Sequence, residues 1–181
     1  MNERRHLLLD ATAQQLGWWG AVLCAARGLL LPAALFAFAP AALRIALASG
    51  ERGRVFGLSL AALLFGLSTD SLLVRSDLVH FAGGFAVPPA WMAGLWASFG
   101  AGLTSSLARA AAWPPGVLAA LAALAGPLAY RGGAAMGALS PFGLGAAAAI
   151  AAQWALGVPL LALLARQAPG EGSTRAAPGR P

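Results

Sequence analysis

Residues 55–74 read VFGLSLAALLFGLSTDSLLV, twenty residues in which Asp70 is the one ionisable side chain. About 20 predominantly apolar residues in helical form cross the hydrocarbon core of a bilayer. This stretch is therefore a transmembrane helix, and the rest of the chain is read around it. The basic loop Glu51-Arg52-Gly53-Arg54 precedes it and Arg75 follows. Downstream, three more runs have the same character. Residues 88–107 carry no charge, 114–130 open on proline, and 142–165 end at Arg166. Proline suits a helix start because its missing N–H would have no intrahelical partner there.

Upstream the reading turns on one residue. Between Leu16 and Ile45 the only charges are Arg27 and Arg44. A single long helix would put Arg27 near mid-membrane, at a cost of at least about 2.5 kcal/mol. A hairpin at Arg27-Gly28 avoids that cost and gives helices over 10–26 and 29–47. The first of these then has a polar first half, with Asp10, Thr12, Gln14 and Gln15. With six helices, Arg4, Arg5, Arg44, Arg52, Arg54, Arg109, Arg166, Arg175 and Arg180 fall on one side, and Arg27, Arg75 and Arg131 on the other. Arginine accumulates on the cytoplasmic side, which places both termini inside. The five-helix alternative moves Arg4 and Arg5 across and buries Arg27; the split narrows, but the sidedness after Arg44 is unchanged. The expected fold is thus all-α, a polytopic bundle of about six helices (alternatively five), N-in and C-in. Residues 1–9 form a short cytoplasmic segment and 10–166 the membrane domain. Residues 167–181, rich in Pro, Gly, Ser and Ala, form a disordered cytoplasmic tail. Pro40 and Arg44 recur as Pro127 and Arg131, a faint echo of the inverted repeats of transporters, of a kind that chance supplies in an Ala/Leu-rich chain.

The composition agrees. Of 181 residues, 59% are hydrophobic and 10% charged, against roughly 25% charged in soluble domains. The net charge of +6 is carried by arginine alone. These arginines lie singly or in pairs between apolar runs, so they act as topology signals, and no nucleic-acid partner is expected. The lone Cys24 excludes an internal disulfide. Only Leu7, Leu8 and Leu9 separate Arg5 from Asp10, too short an apolar stretch for a signal peptide.

Two features stand out chemically. Gly94, Ser98, Gly102 and Ser106 recur every four residues and stack small side chains on one face of the fourth helix. Such a stripe lets helices approach closely in lipid, either within the monomer or in a homo-oligomer or with a membrane partner. Asp70 lies about 24 Å along its helix at 1.5 Å per residue, in the outer part of the membrane. A carboxylate there marks a functional site by default unless an ion pair accounts for it. Its candidate partners are Arg75, Arg131 and Arg27. With Ser71, Arg75, His80, Tyr130 and Arg131 it outlines an outward-facing polar pocket. The alternatives for His80 are a proton shuttle and an exposed loop histidine. Trp91 and Trp113 fit the interfacial belts, and Gln153, mid-span in the last helix, needs a hydrogen-bond partner. Gly66-Leu67-Ser68-Thr69 is a poor copy of a membrane serine-protease motif, and no histidine follows His80. A membrane aspartyl protease needs two deep aspartates, and Asp70 stands alone. His6, His80 and Cys24 are too scattered for a metal site, and no cofactor is implied.

Several stretches together resemble a bacterial membrane-protein family known as domain-of-unknown-function family 2878. They are Gln15-Leu16-Gly17-Trp18, Asp70-Ser71-Leu72-Leu73, Pro89-Ala90-Trp91, Leu95-Trp96-Ala97-Ser98-Phe99, Thr104-Ser105-Ser106-Leu107 and Gly126-Pro127-Leu128-Ala129-Tyr130, followed by Gly132 or Gly133 and Gly137-Ala138. The resemblance covers about residues 14–165. Where the family usually has an aromatic or neutral residue after the first helix, this chain has Arg27-Gly28. The resemblance implies a membrane location, here the bacterial inner membrane, and no established activity. By association it points to envelope lipid chemistry.

Three readings follow. The first is an accessory or scaffold protein of envelope lipid metabolism, with membrane lipids as partners and no catalysis. The second is a small ion-coupled transporter with its site around Asp70, which needs a polar midplane path and broken helices at Pro40 or Pro127. The third is an intramembrane lipid-active enzyme, which needs Asp70, Arg131 or His80 at a shared outward-facing cavity.

Overall fold

The computed structural model describes residues 3–84 and 86–167. The first apolar run divides where Arg27 interrupts it: α1 spans Glu3–Ala26 and α2 Leu30–Leu47. Gly28 takes a positive φ of 73°, and the N–H groups of Gly28 and Leu29 reach back to the carbonyls of Ala25 and Cys24. This is a Schellman termination, which needs a left-handed residue and so favours glycine. Then come α3 (Arg52–Arg75), α4 (Ala90–Gly102), the short α5 (Ala108–Ala111), α6 (Pro115–Ala135) and α7 (Leu144–Gln167). Strands β1 (His80–Phe81) and β2 (Leu139–Ser140) pair antiparallel, His80 opposite Ser140.

Three boundaries depart from the sequence reading by five residues or more, one of them the end of α6, which lies at Ala135 rather than at residue 130. Helix α1 begins at Glu3 rather than at residue 10, because Glu, Arg and Leu are good helix formers and no Gly or Pro interrupts them. Helix α4 ends at Gly102 instead of residue 107. The run Thr104-Ser105-Ser106 supplies hydroxyls that compete for the backbone; Thr104 Oγ1 donates to the Ala101 carbonyl at 2.8 Å. The stretch 167–181 contributes only Gln167, the last residue of α7; residues 168–181 lie outside the described residues.

Four helices, α2, α3, α6 and α7, are long and apolar enough to cross a membrane. The sequence reading expected six. Helix α1 falls short through its polar first half, and α4 through its 13 residues, about 20 Å of rise. The flanks of the long helices present Leu31, Leu35, Leu64, Leu124 and Leu156 outward, a surface suited to lipid rather than water. The chain is an integral membrane protein.

Helix α1 packs along α2, α2 and α3 each pack along α4, and α6 packs along α7. Two members of the small-residue stripe, Gly94 and Ser98, face α2 within the chain, and Ser106 lies beyond the end of α4. Side chains placed on Gly94 would meet Ala37 and Phe38 of α2. The Ser98 hydroxyl donates to the Ala37 carbonyl at 2.6 Å and accepts from the Ala41 N–H at 3.2 Å. Those two backbone groups flank Pro40, whose ring disturbs the ladder of α2 at that point. Ser98 therefore supplies partners that the proline would otherwise leave wanting, and α2 continues through Pro40 as α6 does through Pro127. At the ends of α2, α3 and α7 nearest the 48–51 turn, arginines cap carbonyls of neighbouring segments. Arg44 reaches Thr104 at 3.3 Å, Arg54 reaches Ala165 at 2.9 Å, and Arg166 reaches Ala111 and Trp113.

Candidate functional site

Asp70 sits on the inward face of α3, 0% exposed. Its neighbours come from three other helices. Trp96 Nε1 of α4 donates to Oδ2 at 2.9 Å, while Tyr130 Oη of α6 and Gln153 Nε2 of α7 donate to Oδ1 at 2.7 and 2.8 Å. Gln153 Nε2 also donates to Thr69 Oγ1 at 2.7 Å, and Thr69 in turn bonds back to the Phe65 carbonyl of its own helix. A carboxylate offers about four acceptor sites, and here three are filled by neutral donors. Four helices thus meet at one side chain.

The candidate pocket of the sequence reading is divided by the fold. Asp70 and Tyr130 come together. Ser71 bonds to Leu67 on its own helix at 2.6 Å. Arg75 and Arg131 are exposed, as is His80, whose Nε2 lies 2.7 Å from Asp77 Oδ1. Arg27 is also exposed and bonds the Leu23 carbonyl of its own helix. No arginine pairs with Asp70; among the described residues the ion pairs are Arg54–Glu51 and His80–Asp77. Gln153 finds partners for its amide nitrogen in Asp70 and Thr69, while its Oε1 is buried without one. Trp96 is the partner the sequence gave least reason to choose, since an indole in an apolar helix reads as packing.

Beside this cluster lies a cavity of about 530 Å³, bounded by α1, α2, α4, α6 and α7. Its walls are aromatic: Trp18, Trp91, Trp96, Phe99, Tyr130 and Trp154. Trp96 is braced by Phe65 at 5.6 Å, Trp154 at 5.3 Å and Phe99 at 6.1 Å between ring centroids. Asp70 itself does not line the cavity, but two of its three donors do. The carboxylate therefore fixes the tilt of two wall rings from behind. Apart from the ring O–H and N–H groups of the wall aromatics, the polar lining is Gln14, Gln15, Ser98 and Ser106, with no charged side chain among the described residues. Ala11, Gln15 and Ala125 on the lining are exposed, so the cavity is open to the exterior between α1 and α6. Volume and lining are those of a site for a small apolar molecule. No group of three His, Cys, Asp or Glu among the described residues is placed to hold a metal ion.

A family described as "Protein of unknown function (DUF2878)" matches residues 7–160. No curated protein and no solved structure matches the chain.

Proposed function

The chain belongs to the DUF2878 family, whose description assigns no function, and from its geometry we propose that it holds an apolar molecule drawn from the bilayer, as a non-catalytic accessory protein of envelope lipid metabolism. The observation that carries this reading is the aromatic cavity, open at its side where the helix flanks are apolar. The enzyme reading needs Asp70, Arg131 or His80 at that cavity. Asp70 is sealed behind Trp96 and Tyr130, and neither His80 nor Arg131 lines the cavity. A transporter would use broken helices, whereas α2 and α6 run on through their prolines.

The test is to purify the protein in a mild detergent and measure the co-purifying apolar molecules by mass spectrometry. Ala129 lines the cavity, and Ala129→Phe puts a ring into it. Retention should fall by about tenfold, since overlap of 1–3 kcal/mol translates into that range. A variant that retains as much as the wild type would show that the molecule is held elsewhere than in this cavity.

The accompanying topology is a six-pass protein of the inner membrane with both termini in the cytoplasm, supported by the nine-to-three division of arginines. In a Cys24→Ser background, Ser76→Cys should react with a membrane-impermeant maleimide in intact spheroplasts. Ser49→Cys should react only after lysis. Both positions are exposed, and the reverse pattern would invert the topology.

A further inference from the structure

The two ends of the cavity differ in what they offer a ligand. Toward the aromatic end, three polar handles are committed within the protein, while Trp154 Nε1 is buried without a partner. Trp91 Nε1 donates to the Ala82 carbonyl at 3.0 Å, and Trp96 Nε1 and Tyr130 Oη both donate to Asp70. Apart from that one indole N–H, what remains there are ring faces with Met92 and Leu139, an apolar lining that offers a head group no acceptor and a single donor. At the other end, Gln14 of α1 and Ser106 after α4 converge on Gly102. A Cβ on Gly102 would lie 3.1 Å from Gln14 Nε2 and 3.6 Å from Ser106 Oγ. Gln15 joins them in the lining. Gln14 has one bond, from Nε2 to the Ser98 carbonyl. A primary amide has two N–H donors and a carbonyl acceptor, so Gln14 has further capacity in both senses.

Resting on the reading of this cavity as a binding site, we propose that its occupant is a single-chain amphiphile with an uncharged, hydroxyl-bearing head. The head lies against Gln14, Gln15 and Ser106, and the chain runs toward the rings of Trp91, Trp96 and Tyr130. A hydroxyl both donates and accepts, which complements amides and a serine. A phosphate or carboxylate only accepts, and without a cationic side chain in the lining its charge would be desolvated with no counter-charge. The span on α1 from Gln14 to Val22, both in the lining, is about 12 Å at 1.5 Å per residue, enough for part of an acyl chain to lie lengthwise. Entry is from the bilayer, because the opening lies between α1 and α6, and α6 turns Leu121, Leu124 and Leu128 outward.

The experiment measures binding of three probes that share one chain length to the full-length protein in lipid nanodiscs, by native mass spectrometry. The probes are 1-monooleoylglycerol, 1-oleoyl-lysophosphatidate and 1-octadecene. Monooleoylglycerol should bind about tenfold more tightly than lysophosphatidate. Ser106→Ala and Gln14→Leu should each weaken monooleoylglycerol severalfold and leave octadecene unchanged. Gln14 also bonds to Ser98, so Ser106→Ala, at a position free of that structural bond, decides the matter if Gln14→Leu does not fold. Equal binding of the two amphiphiles, or tighter binding of lysophosphatidate, overturns the neutral-head assignment while leaving the cavity as a binding site. Binding of none of the three overturns the cavity reading as well.

Discussion

Asp70→Ala should destabilise the protein by about 2–6 kcal/mol, because two buried donors lose their partner and each such loss costs about 1–3 kcal/mol. Those donors are Trp96 Nε1 and Tyr130 Oη, whose hydrogen bonds among the described residues both go to this carboxylate. Gln153 keeps its bond to Thr69 and loses less. Asp70→Asn is nearly isosteric and still offers one acceptor oxygen. Its amide nitrogen, however, must face either the indole donor or the phenol and glutamine donors. It should cost about 1–3 kcal/mol, one orphaned donor's worth. Thermal unfolding in detergent, followed by loss of the monodisperse peak, should rank wild type above Asp70→Asn above Asp70→Ala. The same variants should also lose retained apolar ligand, since two cavity walls are then unanchored. If Asp70→Ala melts within about 2 °C of wild type, the cluster is not what joins these helices.

Gly66→Ala should be the second large effect. A side chain there would run into the indole of Trp96, at Cγ, Cδ1 and Cδ2. The ring cannot step aside freely, because Phe65, Phe99 and Trp154 pack around it and its N–H is held by Asp70. Overpacking of this kind costs about 1–3 kcal/mol, and displacement of the indole adds the loss of the buried hydrogen bond. The two substitutions should therefore be non-additive. In the Asp70→Ala background the bond is already gone, so Gly66→Ala should cost less there than in wild type by about 1 kcal/mol. Additive costs would mean that the alanine is accommodated without moving the indole away from the carboxylate.

These expectations mark what the sequence disclosed and where it fell silent. Residues 55–74 form one helix because nothing in them opposes it, and Arg27-Gly28 supplies both a charge to keep out of the core and a residue fit for a left-handed turn. Length and hydropathy are properties of a segment, so they are legible one segment at a time. Which face of each helix turns inward is a property of the assembly. In Ala/Leu-rich helices the apolar residues run all round, and no amphipathic stripe announces the buried side. Charge alone therefore suggested arginines for Asp70. The actual partners lie 26, 60 and 83 positions away on three other helices. Gln153 came nearest to being legible, since a mid-span amide must find a partner. Tyr130, within the resembling motif Gly126–Tyr130, was placed in the right neighbourhood for a different pocket. The end of α4 was hidden by the same uniformity: residues 103–107 are apolar or small enough to continue a helix, and only the hydroxyl run 104–106 hinted otherwise.

The β1–β2 pair and the arginine contacts at the opposite end of the bundle also bear on how the cavity mouth behaves. The two-residue ladder ties the segment after α3 to the segment before α7. Arg54 ties the start of α3 to the carbonyl of Ala165 in the last turn of α7. The last helix is thus fastened to the third at its top and bottom, like a door hung on two hinges. Helix α6 leans on that door and is latched to the third helix as well, by Tyr130 on Asp70. A widening of the mouth that keeps this latch closed is confined to the part of α6 before Tyr130, which carries Ala125.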